Sequence, residues 1–281
     1  SFPTRRSSDL DAFTQANTGR YEEVNTRGNV AILMHKYITA ALFYESRAVM
    51  ALTNPTSSTV DIEALSQGGL MVGSAYSFFQ DHLQAGIAVK VIGRHLIDAT
   101  ITQRDVITTD EFSDILDLKS FGIGVGVDLG VKGQLPIEDK YAWWDYLDPV
   151  FAITLQDVGH TRFFSGDPVG KQKQSLTAGF AIHPDFWKLK STLAVDFRNL
   201  EYATDIITKL HVGYELTWPE ISKILRSASV RLGVNQGYFS GGFGVDFRYF
   251  KLNAAAYGRE IGQSTRQKQS FMLALQLAAG F

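Results

Sequence analysis

The chain carries six histidines, at positions 35, 82, 95, 160, 183 and 211. None stands in H-E-x-x-H or another paired metal-ligand spacing, and no serine occupies the centre of G-x-S-x-G. A hydrolase would therefore need a serine and a histidine brought together from separate elements, an arrangement that spacing alone does not reveal. There is no cysteine, which removes disulfides, thiolate nucleophiles and cysteine metal ligands together. The glycine run "FGIGVGVDLGVKG" (121–133) has neither the G-x-G-x-x-G nor the G-x-x-x-x-G-K spacing that sets backbone amides around a phosphate, and no helix start follows it. No catalytic residues, metal or cofactor are expected.

The charged residues are more informative, because they alternate with apolar ones. In the glycine run, Phe121, Ile123, Val125, Val127, Leu129 and Val131 fall on one side of an extended strand, and glycine, Asp128 and Lys132 on the other. The pattern recurs in "LKSTLAVDFRN" (189–199), "KLHVGYELTW" (209–218), "SVRLGV" (229–234) and "GGFGVDFRYF" (241–250). The chain ends on "SFMLALQLAAGF", where Phe271, Leu273, Leu275, Leu277 and Phe281 share one side.

About thirteen such segments are expected as strands, near residues 29–35, 38–51, 66–79, 83–95, 121–133, 149–158, 174–183, 189–199, 207–218, 227–236, 240–249, 250–258 and 270–281. One helix is expected near 110–118, capped by Thr109, inside the acidic stretch "TTDEFSDILDL"; that stretch reads as a loop-packing helix before an external lid.

The composition is 45% hydrophobic and 20% charged over 281 residues, with a formal charge of -2 and no basic run interleaved with aromatics. Disorder and nucleic-acid binding are disfavoured. No stretch reaches the roughly 18 consecutive apolar residues of a transmembrane helix, and no linker or composition break divides residues 11–281, which read as one domain. Residues 1–10, "SFPTRRSSDL", resemble a translated sequencing adapter, so a signal peptide and an upstream segment are expected to be missing.

The polar face decides between all-β alternatives. A soluble barrel points its apolar face inward, and an outer-membrane barrel points it at lipid. Short connections near 36–37, 80–82, 184–188 and 249–250 alternate with long ones near 52–65, 96–120, 159–173 and 259–269, as in outer-membrane barrels; 134–148 is long on the short side. Trp143, Trp144, Trp187, Trp218, Tyr249 and Phe250 gather at the short-connection ends, where an interfacial aromatic belt belongs. Bacterial barrels have even strand numbers, so an intact chain of about fourteen strands is expected.

On this reading the lumen is lined by Glu45, Arg47, Lys90, Arg94, Asp128, Lys132, Asp196, Arg198, Lys209, Glu215, Arg231, Asp246 and Arg248. Mixed signs suit a bracing network before an ion-selective ring.

"RLGVNQGYFSGGFGVDFRYFKLNAAAYGREIGQ" (231–263) with the terminal strand, "LDPVFAITLQDVGHTRF" (147–163) and "TKLHVGYELTW" (208–218) resemble outer-membrane barrels of the TraF-like conjugal transfer group, relatives of FadL-type long-chain fatty acid transporters. The resemblance covers most of residues 28–281 and is most specific in the last third. It implies a barrel of about fourteen strands in the bacterial outer membrane that transports apolar or amphipathic molecules. The alternatives are a scaffold of a conjugation or secretion system and, remotely, an outer-membrane hydrolase. It also implies membrane lipid, the outer-membrane assembly machinery, a hydrophobic ligand and secretion or conjugation components as partners. The terminal Phe281, with Phe271 to Leu277, resembles the C-terminal assembly signal of such barrels. No ligand motif of the family matches a position here.

Overall fold

The computed structural model describes residues 21–34, 37–54, 59–101, 119–134, 142–164, 169–260 and 269–279. Residues 1–10, the helix expected near 110–118 and Phe281 lie outside them. The alternating stretches form β1 (Tyr21–Met34), β2 (Ile38–Asn54), β3 (Thr59–Phe78), β4 (Leu83–Ile101), β5 (Lys119–Gly133), β6 (Val150–Gln156), the two-residue β7 (Phe163–Phe164), β8 (Ser175–Ile182), the two-residue β9 (Asp185–Phe186), β10 (Leu189–Phe197), β11 (Leu210–Pro219), β12 (Leu225–Asn235), β13 (Tyr238–Phe247), β14 (Phe250–Glu260) and β15 (Gln269–Ala279). Among the described residues two short helices, α1 (Ala142–Leu147) and α2 (Ile206–Lys209), sit in connections.

The fold is all-β. Thirteen strands follow one another in a single sheet in chain order, with β7 paired to β5 and β9 to β10 off that path. The ladders described between neighbours are antiparallel. The hydrogen-bonded path ends at β1 and β15. Neighbours in sequence are neighbours in the sheet, and the short described connections, such as those between β12 and β13 and between β13 and β14, are hairpins, the link a short loop allows between antiparallel strands.

Strand ends depart from expectation. β2 and β3 extend through most of the loop expected at 52–65, and β4 runs to Ile101. The segment "TVDIEALSQ" falls largely in the expected loop although Val60, Ile62 and Ala64 alternate with Asp61 and Glu63. Residues 60–65 pair with β2 from Val60 opposite Leu52 to Leu65 opposite Arg47, and a register shift between Leu52 and Asn54 sets Thr59 opposite Asn54. The β12–β13 connection, on the expected long-loop side, is a two-residue turn. Gln236 and Gly237 have φ of 54° and 85°, the left-handed pair of a type I′ turn, whose twist matches the flanking strands.

Contacts divide the chain into two units. One comprises β1, β2, β3 up to Ser74, Ala88–Val127 and Gly159–Lys173; the other comprises Ala75–Ile87, Asp128–Val158 and the chain from Gln174 onward.

The two sheet faces invert the arrangement of a soluble core. Among the described residues the buried apolar side chains are few, Ile92, Ala99, Trp144, Val169 and Met272, while Gln67, Lys90, Arg94, Ser191, Ser229 and Glu260 are buried polar ones. Large apolar residues of the other face are exposed: Val89 and Val91 on β4, Ile123 and Val125 on β5, Val230 and Leu232 on β12. On β15, Phe271, Leu273, Leu275 and Leu277 are 69 to 72% exposed. No helix among the described residues is long and apolar enough to cross a membrane.

Candidate polar sites on the inner face

In the first unit the buried face is filled. Arg94 on β4 is 6% exposed. Its Nε and Nη2 donate to Gln67 Oε1 at 3.1 and 2.8 Å, and Nη2 donates to Gln172 Oε1 at 2.5 Å. Gln67 in turn donates to Glu45 at 3.1 Å. The guanidinium lies 4.2 Å from the centroid of the Phe163 ring, a cation–π distance.

The glycines of β5 make this possible. A Cβ on Gly124 would stand 2.9 Å from the Phe163 ring, and one on Gly122 would stand 2.6 Å from Val169. The side that reads as glycine in sequence is thus the side over which Phe163 and Val169 lie. Lys90 is buried on the same face of β4, and Arg47 is half-buried on β2.

In the second unit the inward side chains of β10 to β14 form cross-strand rows set by register. Glu215 faces Arg231, and Arg231 Nε donates to Glu215 Oε2. Thr217 donates to the other carboxylate oxygen at 3.0 Å, Arg231 Nη1 to Asn253 at 3.1 Å, and Asn253 to Gln276 at 3.2 Å. Arg231 reaches β14 across β13 because Gly244 is there: a Cβ would be 2.6 Å from both Asn253 Oδ1 and Ser229 Oγ.

Four residues along β11, His211 faces Asn235. Asn235 Nδ2 donates to the Gly258 carbonyl at 2.6 Å, which orients the amide so that its Oδ1 accepts from His211 Nδ1–H at 2.5 Å. Neutral His211 then presents Nε2 as an acceptor. Asp196 pairs with Arg198 at 3.6 Å. Between these rows lies a cavity of about 500 Å³ whose lining includes Asp196, His211, Glu215 and Arg231.

The remaining expected lumen residues are scattered. Asp128 Oδ1 accepts from the Asp157 backbone N–H at 2.8 Å, anchoring the chain beyond β6. Lys209 sits at the end of α2, where Nζ donates to the Tyr202 carbonyl at 2.5 Å; it clamps a connection rather than lining a strand. Lys132 is exposed near the end of β5; Asp246 faces Lys251, and Arg248 lies 5.6 Å over the Tyr249 ring in the next turn.

Of the aromatic set, Trp143, Trp187, Trp218, Tyr249 and Phe250 are exposed. Trp144, within α1, is buried and meets Trp143 edge-on at 5.4 Å. Sequence reasoning did not find Asn235, Asn253, Gln67 and Gln172. These are neutral amides, and the charge alternation used to choose inward residues carries no signal for them.

Among the described residues no group of three or more histidine, aspartate or glutamate side chains converges as a metal site. No protein-family model matches the chain, and no curated protein matches it.

Proposed function

We propose that this chain is an outer-membrane β-barrel of FadL-like type that passes hydrophobic or amphipathic small molecules. One observation carries the proposal: the sheet exposes a face of leucine, valine and phenylalanine and buries a face of charged and amide side chains. In water that arrangement forfeits the hydrophobic driving force, at roughly 25 cal/mol per Å² of apolar surface left exposed. In a bilayer it is the stable assignment, with lipid against the apolar face and hydrogen-bonded polar groups inside. The exposed aromatics at one set of strand ends support the same placement.

A scaffold barrel without transport is favoured by the filled inner face of the first unit, where Arg94, Phe163 and Val169 occupy the space a solute would need. The open cavity along β10 to β14 favours passage or binding. The deciding experiment refolds the full chain into detergent and then into liposomes. The expected results are a gel-migration shift on heating and solute-dependent swelling of the proteoliposomes. A heat shift without swelling selects the scaffold reading, and the absence of both refutes the barrel.

A further inference from the structure

The cavity of the second unit has a shape fixed by register. Ala194, Gly213, Gly233 and Ser240 are successive partners across β10, β11, β12 and β13, and Tyr257 on β14 faces Ser240. This row of small side chains is the floor of a trough that crosses five strands, about 19 Å at the usual strand spacing of about 4.8 Å. Tyr257 closes one end. Along one long edge stand Glu215 and Arg231; along the other stand Asp196, Arg198, His211 and Asn235. A Cβ on Gly213 would meet nothing within 4 Å, so the space above the floor is open there.

The edges decide the chemistry. They carry two carboxylates and two guanidiniums, so with His211 neutral the trough has no net charge. An anionic head would face Asp196 and Glu215, and a cationic one would face Arg198 and Arg231. The edge groups are paired with one another, but His211 Nε2 and the N–H groups of Arg198 and Arg231 not used within the wall still face the trough. An alkyl chain would strip water from these without replacing its hydrogen bonds, a cost of about 1–3 kcal/mol for each one left unpaired. A ligand suited to both edges is uncharged, offers donors and acceptors on its two long sides, and has a C–H face for the alanine and glycine floor.

We infer that the trough binds a neutral sugar of two or three rings, either free or as the headgroup of a glycolipid. At about 500 Å³ the cavity is within the range of small-ligand sites. This goes beyond the proposed passage of hydrophobic or amphipathic molecules and rests only on the barrel reading, from which it takes this face as the lumen wall.

The test uses the full chain in a polyoxyethylene detergent, with maltotriose, octyl maltoside and laurate as probes in equilibrium dialysis. Maltotriose is expected to bind saturably. Gly213→Ile, which fills the trough with a strand-favouring residue, is expected to weaken binding at least tenfold. The double variant Asp196→Asn/Arg198→Gln, which leaves the floor intact, is expected to weaken it about tenfold. Binding of octyl maltoside alone, lost in the same variants, identifies the sugar as lipid-borne. Laurate binding as tight as the maltoside, no binding of either sugar, or binding undiminished in both variants overturns the inference. Each sample is first scored for heat-shifted migration and liposome insertion. Inserted protein that ignores sugar refutes the trough alone, and sugar binding by protein that never inserts refutes the membrane reading alone.

Discussion

Arg231 on β12 and Asn253 on β14 are bonded at 3.1 Å across an intervening strand: Arg231 is registered with Gly242 and reaches diagonally over Gly244, the partner of Asn253. Gly244→Val would place carbon where Asn253 Oδ1 and Ser229 Oγ now sit. A loss of about 1–3 kcal/mol is expected, the usual cost of overpacking a closed site. Urea unfolding in lipid vesicles measures it, and an unchanged midpoint would show that the space over Gly244 is not closed.

The Glu215–Arg231 pair is half-exposed, so its contribution is smaller than that of a dry ion pair. A double-mutant cycle with Glu215→Gln and Arg231→Gln is expected to give a coupling of about 0.5–2 kcal/mol. Coupling at zero would make the two residues neighbours without mutual stabilisation.

Val125 is exposed on β5, and Asp128 on the same strand accepts a backbone hydrogen bond from Asp157. Val125→Arg is expected to impair membrane assembly by roughly 2–4 kcal/mol if the residue faces mid-bilayer lipid, and Phe197→Arg on β10 likewise. Asp128→Asn keeps an acceptor oxygen and should assemble nearly normally. Equal losses in all three variants would contradict the assignment of faces.

Tyr202 lies in the connection between β10 and α2 and donates its hydroxyl to the Gln174 carbonyl at 2.6 Å. Burial, and then the neighbouring Glu201 carboxylate, raise its pKa above the usual phenol value of 10.0. A raised folded pKa means that the stabilising contribution is complete below the unfolded pKa and is lost as pH climbs through the folded one. The connection should therefore hold throughout the neutral range and loosen only above about pH 10. Among the 11 tyrosines, a late-titrating absorbance component is expected that disappears in Tyr202→Phe; its persistence would assign it elsewhere.

How far the sequence foretold these features varies by residue. The alternation through Phe121 to Val131 located β5 and its two faces, because a period of two is a local property of the chain. It also marked the inner face as glycine, without saying why. The reason is Phe163 and Val169, tens of residues downstream, whose contact depends on the β6–β8 connection. The six-residue α1 was missed because "AWWDYL" has too few turns for a helical period to register. The trough was illegible for a different cause. Glu215 and Arg231 were both expected to point inward, but their pairing, and the alignment of Gly213, Gly233 and Ser240 in one row, depend on how far each strand slides along the next.

That sliding is fixed between β12 and β13 by Gln236 and Gly237. Point substitutions in the rows would change which groups line the trough and leave its floor in place. One inserted residue in the turn would advance β13 by a single step, turning Ser240 and Gly242 outward and Phe239 and Phe243 inward. Substitution and length change at this hairpin therefore act on different properties: the first alters the chemistry of the recess, the second its floor and the apolar face of β13 together.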